Sequence, residues 1–156
     1  KLNALADVVR GKRLVMVDDS VVRGTTSKQI VRMLRDAGAC EVHVRSASPK
    51  VMWPCFYGID TADQDQLIAA YKTTEEICEY IEADSLGFLS LEGLLDCVPK
   101  RGYCAACFNG HYPVEIPDDF HERFVSGMCP HALNCSNALT FTQVETQLAQ
   151  KGPQDV

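Results

Sequence analysis

The chain has 156 residues, 15 basic and 21 acidic side chains, and a formal charge of −6 at pH 7. That balance opposes nucleic acid as a partner, because phosphate contacts draw on Lys and Arg. No apolar run is long enough to cross a bilayer and none has the form of a signal peptide, so the expectation is one soluble, cytoplasmic domain that handles small molecules, with no membrane partner. Eight cysteines fall below the roughly 8–10% density of small disulfide scaffolds and read as reduced thiols or metal ligands. The sequence opens on Lys1 rather than methionine, which predicts a native start upstream.

Leu2, Leu5, Val8 and Val9 share one face and predict the end of a helix over 1–10, stopped at Gly11. Leu14–Val17 is a continuous apolar run, the pattern of a strand buried in a parallel sheet. A helix is predicted over 27–37, with Ile30, Val31, Leu34 and Ala37 toward the sheet and Gly38 as its C′ residue. Over 41–46, Val42 and Val44 alternate with polar residues, which predicts a second strand and completes a βαβ unit. Pro49 and Pro54 break the chain around Cys55, and a helix is predicted over 63–71. Thr73 with Glu76 has the form of a capping box opening a helix through Ile77, Tyr80 and Ile81. Leu86–Leu89 is a short strand, and Ser90 caps a short helix bearing Leu91, Leu94 and Leu95. Residues 99–117 read as loop, 140–149 as a helix and 151–156 as a frayed end. Three strands are few for a doubly wound sheet, so the domain is either small or incomplete.

The junction after the first strand carries the chemistry. Asp18 and Asp19 fall at the carboxyl end of Leu14–Val17, where open α/β sheets bind ligands. Ser20, Val21, Val22, Arg23, Gly24, Thr25 and Thr26 follow, a small-residue, hydroxyl-bearing loop ahead of a helix N-terminus. Such a loop turns backbone N–H groups toward a phosphate. A carboxylate repels phosphate, so the acids suit sugar hydroxyls or a Mg2+ shared with phosphate oxygens. A ribose between two phosphate groups satisfies both halves, with Gly24 permitting close backbone approach. The bland alternative is a strand with a solvated acidic end and a capped helix.

Cys104 and Cys107 form a C-x-x-C pair, a spacing that aims two thiolates at one metal and also fits a redox pair. A metal needs about four ligands, and Cys55, beside Pro54, is the best third candidate. Cys40 and Cys78 read as small core residues, and Cys97 is unassigned. Cys129, His131 and Cys135 match no common zinc spacing. His43 reads as structural, His111 as a loop residue, and His121 is unassigned.

The stretch from Leu14 to Thr26 resembles the fingerprint of phosphoribosyltransferases, and its wording Val17-Asp18-Asp19-Ser20-Val21-Val22-Arg23-Gly24-Thr25-Thr26 resembles the glutamine phosphoribosylpyrophosphate (PRPP) amidotransferase family. So do Glu41–Arg45, Pro54–Asp60, Phe88–Leu94 and Cys104–Glu115, in order over roughly residues 1–117. The resemblance implies an α/β fold: part of a type I phosphoribosyltransferase, Rossmann-like, with a parallel sheet, flanking helices and a cysteine-bearing C-terminal region. Residues 1–50 would carry the PRPP motif, 51–117 the cluster cysteines, and 118–156 an unassigned tail.

It also implies a reaction, the first step of purine synthesis. Ammonia from glutamine displaces pyrophosphate from PRPP to give 5-phosphoribosylamine. By that likeness Asp18 and Asp19 are the catalytic pair and hold the ribose hydroxyls and Mg2+, while Ser20 to Thr26 cradle the 5′-phosphate. Cys55, Cys104 and Cys107 would be three ligands of a structural [4Fe–4S] cluster, the fourth lying upstream of Lys1. The glutaminase domain and the loop that closes over the phosphoribosyl site would also lie upstream, so these residues alone are expected to be inactive and the full-length protein to form a homo-oligomer. Lys50–Trp53 departs from the family wording, and beyond Pro117 nothing matches. Three competing readings are another phosphoribosyltransferase, opposed by the segments around Cys55 and Cys104, a PRPP-sensing purine repressor, opposed by the acidic balance and the lack of a helix-turn-helix, and a metal-stabilised module with no catalysis.

Overall fold

The computed structural model describes residues 3–59, 61, 64–99 and 102–116. Strands β1 (Arg13–Asp18), β2 (Glu41–Ser46) and β3 (Ser85–Phe88) form a parallel sheet in the order β1–β2–β3. Asp18 pairs with Ser46, and Ser46 with Phe88, so the carboxyl ends of all three strands finish in one row. Helix α1 (Ala6–Val9) precedes β1; α2 (Thr25–Asp36) joins β1 to β2; a 3-10 turn at Gln64–Gln66, α3 (Ile68–Tyr71) and α4 (Thr74–Tyr80) lie between β2 and β3; α5 (Leu91–Asp96) and α6 (Ala106–Asn109) follow β3.

The core lies between the sheet and helices α2, α3 and α4. Val42 and Val44 of β2 are fully buried against Val31 of α2, Ile68 of α3 and Ile77 of α4, with Val21 and Ile81 completing the cluster. Each such side chain contributes about 1.5–3 kcal/mol through removal from water. The expected capping box at α4 is present: Glu76 N–H donates to Thr73 Oγ1 at 3.2 Å and Thr73 N–H to Glu76 Oε2 at 2.7 Å. Ser90 caps α5 through Gly93 N–H. Gly38 ends α2 with φ +98°, as its C′ position requires.

A cluster of charges pins α2 to the turn between α4 and β3. The Glu82 carboxylate accepts from Arg32 and pairs with Lys28 at 3.2 Å. Arg35 donates to the Glu82 carbonyl and to Asp84, whose Oδ2 also accepts the Val42 N–H at 2.6 Å. Glu82 adopts φ +62°, a left-handed conformation that costs about 1–2 kcal/mol for a residue with a Cβ. The three cations hold it there. The hydrogen bonds from Arg32 and then Lys28 draw its carboxyl down to about 2.

Several expectations are amended. Among the described residues β1 is the edge of the sheet, and only one of its faces is covered. Met16 packs on the core, while Val15 and Val17 on the other face are 66% and 70% exposed. Beside them β2 carries a polar row, in which Glu41 accepts from Arg13 at 2.6 Å and His43 joins Glu41 to Ser85 at 2.9 Å each; His43 is structural, as expected. Leu5 and Val8 of α1 are exposed, and of its predicted apolar face Val9 alone is buried among the described residues. The helix expected over 63–71 divides into the 3-10 turn and α3, and the loop expected over 99–117 contains α6. Cys40 is exposed rather than in the core; Cys78 is partly buried, donating to the Ala83 carbonyl at 3.2 Å. The expectations for Leu2, Asp60, Asp63, His121, Cys129, His131, Cys135 and the helix over 140–149 lie outside the described residues. No helix among the described residues is long and apolar enough to cross a membrane.

Candidate functional site

A cleft of about 430 Å3 opens at the carboxyl end of β1, lined by Asp18, Asp19, Ser20, Val22, Arg23, Gly24, Thr25, Thr26, Ser27 and Thr61. The acids and the hydroxyl-bearing loop therefore share one cavity. Of the residues singled out from the sequence, Val21 alone is missing from the lining. Its side chain is 1% exposed and anchors the loop in the core. A second anchor is the Val22 carbonyl, which accepts the Ile68 N–H at 2.9 Å.

The acids are held by the main chain. Asp18 Oδ1 accepts the Asp19 N–H at 3.0 Å, and Asp19 Oδ1 accepts the Ser20 N–H at 2.6 Å. Neither carboxylate enters an ion pair among the described residues. Such a pair attracts cations and accepts hydrogen bonds from sugar hydroxyls.

The other wall is the N-terminus of α2. Helices α4 and α5 have side-chain caps, whereas α2 has none and no acid in its first turn. Its leading N–H groups and the positive end of its dipole thus face the cleft without an internal anion to satisfy them. Gly24 makes this turn with φ +75°. A Cβ built there would lie 3.1 Å from the Tyr80 ring and 3.2 Å from Ile68. The left-handed backbone and the tight fit beneath the loop both favour glycine here, in addition to any approach by a ligand.

Two lining residues were not marked as site residues by the sequence: Ser27, which directly continues the loop into α2, and Thr61. Thr61 comes from a distant loop, and no motif marks a lone threonine.

The cysteine region lies on the segments around Trp53 and α6. Met52 and Trp53 N–H groups both donate to the Cys107 carbonyl, at 2.9 and 3.1 Å. Tyr112 donates its hydroxyl to the Pro54 carbonyl at 2.7 Å, and its ring stacks 5.0 Å from Phe56. Tyr57 receives the Val114 N–H at 3.1 Å. These links draw Cys55 toward the C-x-x-C pair. Burial raises the Cys107 thiol, and the Cys104 and Cys55 thiols raise it further. Burial likewise pushes the Tyr112 hydroxyl well above its ordinary range, with the same three cysteines adding to it. Cys55 Sγ accepts the Tyr57 N–H at 3.4 Å. Even so, among the described residues no three His, Cys, Asp or Glu side chains meet closely enough to form a metal-binding group.

Comparison with known proteins bears on both regions. No family model matches the chain. It is 62% identical over 120 residues to the amidophosphoribosyltransferase of Synechocystis sp., covering 76% of this chain and 24% of that protein. It is 56% identical over 125 residues to the Bacillus subtilis protein of the same name, covering 76% of this chain and 26% of that one. These relatives are amidophosphoribosyltransferases.

The solved B. subtilis glutamine PRPP amidotransferase, complexed with ADP and GMP, superposes with a TM-score of 0.69 at 56% identity, over 75% of this chain and 27% of that one. A structure described as the allosteric regulatory enzyme of purine biosynthesis superposes with a TM-score of 0.71 at 50% identity, over 83% of this chain and 29% of that one. The α/β fold with its parallel sheet is therefore that of the corresponding part of the amidotransferases. The chain spans about a quarter of the length of the curated relatives it matches.

Proposed function

We propose that the chain is the phosphoribosyl-binding part of an amidophosphoribosyltransferase, which forms 5-phosphoribosylamine from PRPP and glutamine-derived ammonia in the first step of purine synthesis. One observation carries this reading: an acid pair with no ion-pair partner among the described residues and a helix N-terminus without a side-chain cap line the same cavity. The amides of the loop and of α2 bind the 5′-phosphate. Asp18 and Asp19 accept hydrogen bonds from the ribose hydroxyls.

As pyrophosphate leaves C1 of the ribose, the carbon loses electron density and the ring acquires positive charge. Ammonia supplies the new bond to C1, and one of its protons is released. Asp18 and Asp19 stabilise the ring charge most when it is greatest, so they favour the transition state over the bound substrate. Their hard oxygen donors also fit Mg2+, which when bound takes up charge on the pyrophosphate.

Cys55, Cys104 and Cys107 fit a thiolate-held structural centre in donor type, and their segments are already tied together. A [4Fe–4S] cluster completed by a fourth ligand would clamp residues 51–117 to the phosphoribosyl core in residues 1–50. The greater length of the relatives fits a division of labour in which glutamine hydrolysis lies outside these residues and the complete enzyme assembles from like copies. In that scheme these residues bind PRPP but do not turn it over alone.

Calorimetric titration of the chain with Mg2+ and PRPP tests the binding role. Binding that is lost in Asp18→Asn/Asp19→Asn supports it. Absence of binding, in a chain whose circular dichroism shows it folded, removes it.

A further inference from the structure

The sugar cleft and the cysteine region share one side chain. Thr61 lines the cleft, and its Oγ1 accepts the Cys55 backbone N–H at 3.1 Å. A hydroxyl has one proton and two lone pairs, so holding Cys55 with a lone pair leaves the proton to donate. Cys55 is itself held on both sides: its Sγ accepts the Tyr57 N–H, and the carbonyl of the preceding Pro54 accepts the Tyr112 hydroxyl. The amide that orients Thr61 therefore belongs to a segment pinned to the C-x-x-C region.

We propose that Thr61 is a ligand-binding residue of the cleft whose aim is set by Cys55: its hydroxyl donates to an anionic oxygen of the bound phosphorylated sugar, and the ordering of the cysteine segment thereby sets the affinity for that sugar. The inference rests on the reading of the cleft as a PRPP site. Coupling of this kind is reciprocal. A ligand that accepts a hydrogen bond from Thr61 also steadies Cys55, and a steadied Cys55 holds Thr61 in place for the ligand. The device gives the cysteine region an effect on substrate binding with no thiol in the cleft.

The test uses the full chain, with Mg2+ and PRPP as the probe. Binding is measured by calorimetry. Alkylation of Cys55 by iodoacetamide is followed by peptide mass spectrometry on the iron-free chain, in which Cys55 is a free thiol, with exposed Cys40 as the internal control. Saturating PRPP is expected to slow alkylation of Cys55 about fivefold or more and to leave Cys40 unchanged. Thr61→Val, close in shape but without the hydroxyl, is expected to weaken PRPP about tenfold and to abolish the protection of Cys55. Thr61→Ser is expected to restore both.

Unchanged affinity in Thr61→Val, or protection of Cys55 that persists in it, overturns the proposal. If Thr61→Val fails to fold, the unsubstituted chain still decides, since absence of Cys55 protection at saturating PRPP overturns it too. A chain that binds PRPP without any dependence on Thr61 removes this inference and leaves the cleft assignment standing. A folded chain that binds no PRPP removes both.

Discussion

Gly24 and Tyr80 are fitted to one another. A Cβ on the glycine would sit 3.1 Å from Cε1 and 3.3 Å from Cδ1 of the ring, and the glycine's φ of +75° excludes most other residues. The ring belongs to α4, while the glycine starts the helix that faces the cleft. Gly24→Ala is expected to cost about 1–2 kcal/mol through backbone strain and crowding. The urea midpoint should fall accordingly. Mg2+–PRPP affinity should fall with it, because the leading amides of α2 turn away from the cleft. An alanine variant with unchanged midpoint and affinity would show that the loop relaxes freely.

The acid pair provides a second prediction. Asp18→Asn and Asp19→Asn keep size and shape and break no ion pair among the described residues, so the urea midpoint should move little. In the complete enzyme, phosphoribosyl transfer to ammonia should fall at least about a hundredfold, the usual consequence of losing transition-state charge stabilisation. Pyrophosphate release from PRPP with ammonia as acceptor measures this directly. Full-rate transfer in both variants would dismiss the electrostatic role.

The third prediction concerns acid. The carboxyl of Glu82 is drawn from an ordinary 4.5 down to about 2 in the folded chain. A depressed folded value means that the unfolded chain takes up the proton first. The contribution of the Arg32–Glu82–Lys28 cluster is therefore complete above about pH 4.5 and drains away as the pH falls toward 2. Urea midpoints across that window should drop more steeply for the unsubstituted chain than for Glu82→Gln, which carries no carboxyl there. Parallel curves would mean that the cluster contributes nothing to stability.

A fourth prediction separates the cysteines by role. If the proposed cluster is present, the complete protein contains iron and sulfide, and serine at Cys55, Cys104 or Cys107 should abolish them and erase its visible absorption. Serine at Cys40 or Cys97, both exposed, should leave them intact. Retention of iron and sulfide in all three of the first set would dissociate these thiols from the centre. Their loss would fit the segment pinning seen around Trp53 and Tyr112.

The readable parts of the fold were those governed by local chemistry. The period of β2, the capping box at Thr73 and the Ser90 cap depend on residues within one turn or one strand, and all three stand where their patterns placed them. What escaped depends on partners far along the chain. The apolar run Leu14–Val17 marks a strand but does not distinguish a central strand from an edge, because that difference lies in which neighbours arrive. Helix α6 has four residues, too few to nucleate alone, and is held by N–H donors some fifty residues earlier. The cleft was legible from Asp18 to Thr26, since one strand and one loop supply almost all of it. Thr61 was not, because its hydroxyl acquires meaning only when the Cys55 segment is brought to it.

The uncovered side of β1 has a practical consequence. Its outer main-chain groups meet no strand among the described residues, and Val15 and Val17 stand beside them in water. An open margin flanked by apolar side chains is a template on which further copies stack strand by strand. Concentrated solutions of these residues should thicken into sheet-bonded aggregates that stain as amyloid does, and a lysine at position 15 or 17 should keep them clear.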